Sequence, residues 1–358
     1  MARPSDLDRA LIRYRTGYSR KEQSVVRELT RLYGDTAARI QVRIEQLTAR
    51  IDAKDPARSL AFERWRLTKL YEQIRDELYR YAQLMDATID DARLQAAILG
   101  EDHGTGLGRI VTTAEIKGVS LTAIANLADV SSIVKDAGQF TWARLPKEAF
   151  KELAARLNSE SPTGILLRER YREHALTMCD TIQSGLAQGK HPNAVARELL
   201  KMVDIPRQQA ELLTRTEMIG SYREANRMTM TANASVLDGW TWYANCETCC
   251  GCCLGMHGTE HPLTDWLSSH PGCRCQMIPL TASMTEFCDE QLARASGFLN
   301  APFDDLKKRF GPGKARLIDE GKVEPADFVT EKYSPIWGLG RHETTLGDLT
   351  TRVGVPVR

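Results

Sequence analysis

No run of eighteen apolar residues occurs in this chain, which removes a membrane-spanning helix from the readings of the sequence. An excess of charge of one sign is missing as well: 48 lysines and arginines face 47 aspartates and glutamates, for a formal net charge of +1. Such a balance offers no bulk electrostatic argument for a nucleic-acid or membrane-surface protein. The opening Met-Ala-Arg-Pro leads into no apolar stretch of signal-peptide type. Secretion into an oxidising compartment is therefore not implied, and a soluble protein of intracellular origin is expected. Internal repeats and low-complexity runs are lacking. The segment Gly104-Thr-Gly106-Leu-Gly108 has neither the Lys-Ser/Thr ending nor the preceding strand of a phosphate loop, and reads as a linker or domain boundary.

What the chain does have is cysteine, concentrated in one place. Seven of its nine cysteines lie between Cys246 and Cys275, and three of its seven histidines sit among them. The run Cys246-Glu-Thr-Cys249-Cys250-Gly-Cys252-Cys253-Leu-Gly-Met-His257-Gly258 is followed by His270-Pro271-Gly272-Cys273-Arg274-Cys275. Two tight thiol pairs with histidines between them have metal-ligand spacing, because each pair places two soft donors on one short turn. Zinc suits thiolate and imidazole and needs no redox chemistry. Crowding leaves the register open, since Cys246/Cys249, Cys249/Cys252 and Cys250/Cys253 all have C-x-x-C spacing. The preferred ligands for one structural zinc ion are Cys250, Cys253, Cys273 and Cys275, with His257 and His270 as replacements. Disulfides and a redox C-x-x-C are the alternatives.

With 358 residues the chain can hold two or three domains. The predicted class is mainly α: long amphipathic helices in the N-terminal part and a small α+β zinc-knuckle module in the C-terminal part. Ile40, Ile44, Leu47 and Ile51, then Leu67, Leu70, Ile74, Leu78, Tyr81 and Met85, follow helical spacing on either side of Asp55-Pro56, an N-cap followed by proline at the first helical position. These helices pair as a hairpin within the chain or form an arm for a partner or oligomer. Their arginines could touch phosphate, but interleaved acids such as Glu22, Glu28, Asp35 and Glu45 favour a solvated face. Further helices are expected over residues 147–157, 165–183, 194–202 and 208–230, broken at Pro162, Pro192 and Pro206. Gly239-Trp240-Thr241-Trp242-Tyr243 and Gln276–Leu280 read as strands flanking the cysteines. Helices near 286–296, 303–310 and 314–321 follow, and residues from about Tyr333 read as an extended tail. The segments are 1–103, 104–184, 185–280 and 281–358.

Several of these residues together carry a resemblance. From Gly185 to Leu280, a little over a quarter of the chain, the sequence resembles the shared module of the Mu F-like minor head, or head-morphogenesis, proteins of tailed bacteriophages. Gly185-Leu-Ala-Gln-Gly189 with Ala194-Val-Ala-Arg-Glu-Leu199 is similar to the family's helical lead-in. Arg215-Thr216-Glu217 resembles its Arg-Thr-Glu helix start, and Trp240 its aromatic strand. Cys250-x-x-Cys253-x-x-x-His257-Gly258 resembles its thiol pair followed by His-Gly, and His270-Pro271-x-Cys273-Arg274-Cys275 its closing motif. Cys246, Cys249 and Cys252 are additional to that pattern. The resemblance implies a minor head protein without enzymatic activity. Such proteins are present in few copies at the portal vertex or head interior of the virion, and in the host cytoplasm during assembly. The implied partners are the portal protein and major capsid or scaffold proteins, with no membrane. Double-stranded DNA would be met through Arg215, Arg223 and Arg274, for which carboxylate pairing is the preferred alternative. A metal-dependent nuclease using His257, His261 or His270, and a zinc-ribbon nucleic-acid binder, are the competing functions.

Overall fold

The computed structural model describes residues 6–52, 60–117, 142–146, 148–150, 192–334 and 338–354, with isolated positions between 173 and 188. Three long helices dominate the described residues: α1 (Asp6–Asp52), α2 (Leu60–Lys117) and α3 (Pro192–Ala232). Shorter elements follow: β1 (Gly239–Tyr243), α4 (Gly251–Met256), β2 (Glu260–His261), β3 (Gln276–Leu280) and α5 (Thr285–Gly297). The chain ends with α6 (Phe303–Phe310), α7 (Pro312–Asp319), β4 (Val329–Ser334), β5 (Gly338–Glu343) and α8 (Leu346–Arg352). The protein is therefore mainly α, with a small sheet-containing module in its C-terminal part that carries the cysteine and histidine cluster. No helix among the described residues is long and apolar enough to cross a membrane.

Two compact units are assembled from non-consecutive stretches. One comprises Met1–Ser19, Leu94–Leu153 and Ile219–Arg358, the other Arg20–Arg93 and Ala154–Met218. The four consecutive segments read from the sequence differ from this division, because the long helices each contribute to both units. Asp55-Pro56 and most of residues 147–183 lie outside the described residues.

In the second unit, α1 and α2 form the intramolecular hairpin. Tyr33 meets Tyr81 edge-on at 5.4 Å, and Ile40, Ile74, Leu78 and Met85 are buried. Glu77 accepts hydrogen bonds from Arg39 Nε and Arg43 Nη2, both at 2.8 Å. Burial pushes its carboxyl pKa up, but these guanidinium contacts outweigh that and hold it below the usual value. Helix α3 joins through Arg93, whose Nη2 lies 2.7 Å from Glu217 Oε2 with both side chains buried. Arg215-Thr216-Glu217 thus sits in mid-helix rather than at a helix start, and α3 continues past Pro206 without the predicted break.

The other unit holds the small sheet. β1 is its central strand, antiparallel to β2 on one side and β3 on the other, with Trp240 opposite His261 and Trp242 opposite Met277. Trp240, Thr241 and Trp242 are all fully buried, so both faces of the strand are covered. The core against them draws Leu7 and Leu11 from α1, Ile110 and Val111 from α2 and Met230 from α3.

The glycine-rich segment is a packing stripe, not a linker. Gly100, Gly104 and Gly108 recur on one face of α2 where neighbours approach too closely for a side chain. A Cβ on Gly100 would lie 2.1 Å from Tyr222 O, and on Gly108 2.0 Å from the Trp142 ring. Gly100→Ala is expected to cost about 1–3 kcal/mol through overpacking. Gly17→Ala in α1, with nothing within 4 Å of the added methyl group, is expected to stabilise by up to about 1 kcal/mol. Urea melts of the two variants check the opposite signs.

The strands at 239–243 and 276–280 and the helix at 303–310 fall where the sequence places them. The tail is a correction: β4 and β5 form an antiparallel hairpin, with Thr330 opposite His342, and α8 follows.

Candidate metal centre

Two turns present the donors. After β1, Asn245 O accepts from the N–H groups of Thr248 and Cys249 at 3.0 and 2.8 Å, which turns the chain into α4. Cys250 is the N-cap of that helix, and its Sγ accepts from Cys253 N–H at 3.5 Å. In the second turn Cys273 N–H bonds to His270 O at 3.2 Å, and Gly272 adopts φ +73°, a conformation that glycine reaches without strain.

These turns bring five side chains together. His270 Nε2 lies 3.2 Å from Cys250 Sγ and 3.4 Å from Cys253 Sγ, and Cys253 Sγ lies 3.5 Å from Cys273 Sγ. Among the described residues two groups could hold an ion: Cys250, Cys253 and His270, and Cys253, Cys273 and Cys275. Cys253 belongs to both. Donors on a tetrahedral ion with bonds of about 2.3 Å sit roughly 3.7 Å apart, close to the spacing observed. A disulfide needs about 2.05 Å, and the cysteines of the cluster are all free thiols. His270 Nδ1 lies 3.0 Å from Pro271 O. A proton on Nδ1 fixes the tautomer that leaves Nε2 to face the sulfurs.

Protons are shared unevenly in the cluster. Hydrogen bonding with Cys253 pulls the Cys250 thiol down to about 5, and Cys253 is pushed up in return. Cys273 is drawn well down by Cys253 and Cys275, assisted by the Arg223 guanidinium, while burial pushes Cys275 up. Hydrogen bonds to Cys250 and Cys273 raise His270 to about 10. A bound cation favours thiolate throughout and neutral imidazole. Metal uptake at neutral pH is therefore expected to release protons, from Cys253, Cys275 and His270 foremost, and retention should weaken as pH falls. Isothermal titration in buffers of different ionisation enthalpy checks this; uptake without proton release would contradict the assignment.

The other predicted residues fall elsewhere. His257, placed among the replacement ligands, is not in the cluster. Its Nδ1 accepts from Ala244 N–H at 3.0 Å and its Nε2 lies 3.1 Å from Gln291 Oε1, so both ring nitrogens are engaged. It closes α4, and Gly258 follows with φ +87°, where a Cβ would meet Leu292 N at 2.8 Å. The His-Gly pair thus has a backbone role. Arg215 pairs with Glu22 at 3.2 Å and with Glu211 at 3.7 Å, the carboxylate pairing preferred from the sequence. Arg223, read as a DNA contact, is buried beneath the second turn. Its Nε and Nη2 reach Cys275 O at 3.0 and 2.9 Å, Nη2 also reaches Cys273 O and Sγ at 3.2 Å, and Nη1 reaches Ser269 Oγ at 2.9 Å. Arg274 is exposed. Cys246, Cys249 and Cys252 belong to neither donor group, and Cys249 contacts Arg309 Nη2 through its carbonyl and sulfur at 2.9 and 3.4 Å.

The cluster can hold a metal ion. Compared with known proteins, the chain matches no family model, no curated protein and no solved structure.

Proposed function

We propose that the chain is a minor head protein of a tailed bacteriophage that acts in head morphogenesis, with one structural zinc ion in its C-terminal module. The observation that carries this reading is the convergence of Cys250, Cys253, His270, Cys273 and Cys275, the spaced residues of the motif pair, into two donor groups that share Cys253. Four thiols and one imidazole exceed what a four-coordinate ion needs, which suits a closed structural site rather than an open catalytic one. Zinc accepts this mixture of sulfur and imidazole without a redox role.

Histidine placement favours assembly over a nuclease. His257 is bonded on both nitrogens, His261 stacks on Trp240 at 4.3 Å, and His270 faces the sulfurs. A general base for phosphate hydrolysis would need a histidine turned toward a substrate. The portal protein and the major capsid or scaffold proteins are the proposed partners, and any contact with packaged DNA falls to Arg274. Co-expression of the chain with the portal and capsid proteins of its own phage genome tests this. Recovery of the chain in purified heads, with about one zinc per chain, is the expected result. Absence from heads, or magnesium-dependent DNA cleavage by the chain, would overturn it.

A further inference from the structure

The β4–β5 hairpin lies beyond the segment that carries the family resemblance, yet β5 touches both limbs of the donor cluster. On one limb, Glu343 Oε2 accepts from Gly251 N–H at 2.8 Å, and Lys314 Nζ holds Oε1 at 2.5 Å. Gly251 is the first residue of α4, the turn that presents Cys250 and Cys253. A carboxylate there satisfies an N–H without an intrahelical partner and complements the positive end of the turn. The approach is tight, since a Cβ on Gly251 would lie 3.0 Å from Glu343 Cδ and from Phe328 Cδ1. On the other limb, Arg341 Nη1 donates to Ser268 Oγ at 3.2 Å, while its Nη2 pairs with Glu331 at 3.4 Å. Its guanidinium also lies 5.8 Å from the Trp242 ring. Gly340 passes so close that a Cβ would meet Ser269 O at 3.2 Å. Ser268 and Ser269 lead directly into His270.

On the reading of the cluster as a metal site, we infer that β5 is a clasp: Glu343 and Arg341 are positioning residues that hold the Cys250–Cys253 turn and the His270 loop in ligating register and set the rate at which the ion leaves. Neither is a donor. An ion escapes only when the two turns part, and the hairpin ties them across the site by contacts that must break first. Loss of one tie leaves the ligand set unchanged but makes local opening easier.

The test uses the full chain loaded with cobalt(II), whose thiolate bands report the ligand set, and follows release to excess EDTA. Glu343→Ala and Arg341→Ala are expected to keep the parent's cobalt spectrum and to release the ion about ten-fold faster or more. Glu343→Gln, which keeps an acceptor for Gly251 N–H but loses the charge facing Lys314, should fall between. Release at the parent's rate from both alanine variants overturns the clasp and leaves the metal site standing. So does a changed cobalt spectrum in either, which would place the residue's effect on the ligand set itself. No cobalt uptake by the parent chain overturns the metal site and the clasp together. Should the alanine variants fail to fold, parental release rates in both Glu343→Gln and Arg341→Lys overturn the clasp.

Discussion

With the cluster read as a metal site, Cys253→Ser is expected to abolish metal binding and to cost the small sheet its cooperative unfolding. Cys253 is the one donor common to both groups, 3.4 Å from His270 Nε2 and 3.5 Å from Cys273 Sγ. It is also 3% exposed, so no outside ligand can replace it without opening α4. Serine offers a harder, far less acidic oxygen in the same place, a poor partner for an ion held by sulfur. Structural zinc contributes on the order of 10 kcal/mol to small domains at neutral pH, comparable with the whole net stability of about 5–15 kcal/mol of an ordinary domain. Trp240 and Trp242 on β1 bury apolar surface next to the site, and they retain part of the module's compactness in the variant. The expected outcome is loss of bound metal and of the cooperative melting transition of that module. Cys249→Ser is the control, because its sulfur contacts Arg309 and lies in neither donor group; it should keep full metal content. Elemental mass spectrometry with circular-dichroism melts reads both variants. A Cys253→Ser protein with the parent's metal content and melting curve would remove Cys253 from the ligand set.

The parts of this molecule legible in the sequence are those fixed by neighbouring residues. Trp-Thr-Trp-Tyr at 240–243 is β-forming wherever it is placed, and the paired thiols declare their turns by spacing alone. The residues that escaped are those whose role is set by a distant partner. Gly100, Gly104 and Gly108 look like a flexible break until Tyr222, Asn226 and Trp142 press against them. His257 has ligand spacing, but Ala244 and Gln291 engage its ring. β2 is only two residues long, too short for periodicity to show. The hairpin of β4 and β5 lacks the alternation of a half-buried sheet, because Tyr333 and Leu339 face each other exposed. A signal for Arg223 did exist: an arginine on an otherwise buried helix face, between Tyr222 and Asn226, is a poor candidate for a solvent-facing phosphate contact.

That buried position gives Arg223→Ala the other large expected effect. The guanidinium is 4% exposed and bonds to Cys273 O, Cys275 O, Cys273 Sγ and Ser269 Oγ. Alanine would take this donor from two interior carbonyl oxygens and remove a cation 3.2 Å from the Cys273 sulfur. Each buried acceptor left unsatisfied costs about 1–3 kcal/mol, and loss of a residue that orients metal ligands lowers affinity about 10–100-fold. Arg223→Lys should recover little, because a single ammonium on a flexible stem cannot serve acceptors fanned around a planar fork. Arg215→Ala is the contrast. Arg215 pairs with the buried Glu22 and with Glu211 in the other unit, so its removal is expected to lower stability by about 1–3 kcal/mol while leaving metal affinity unchanged. Denaturant melts of the metal-loaded proteins and chelator competition measure both effects. If Arg223→Ala keeps the parent's stability and metal affinity, the guanidinium does not organise the Cys273–Cys275 turn. Weakened DNA binding by a fully stable, metal-replete Arg223→Ala protein would instead return this arginine to a direct role on phosphate.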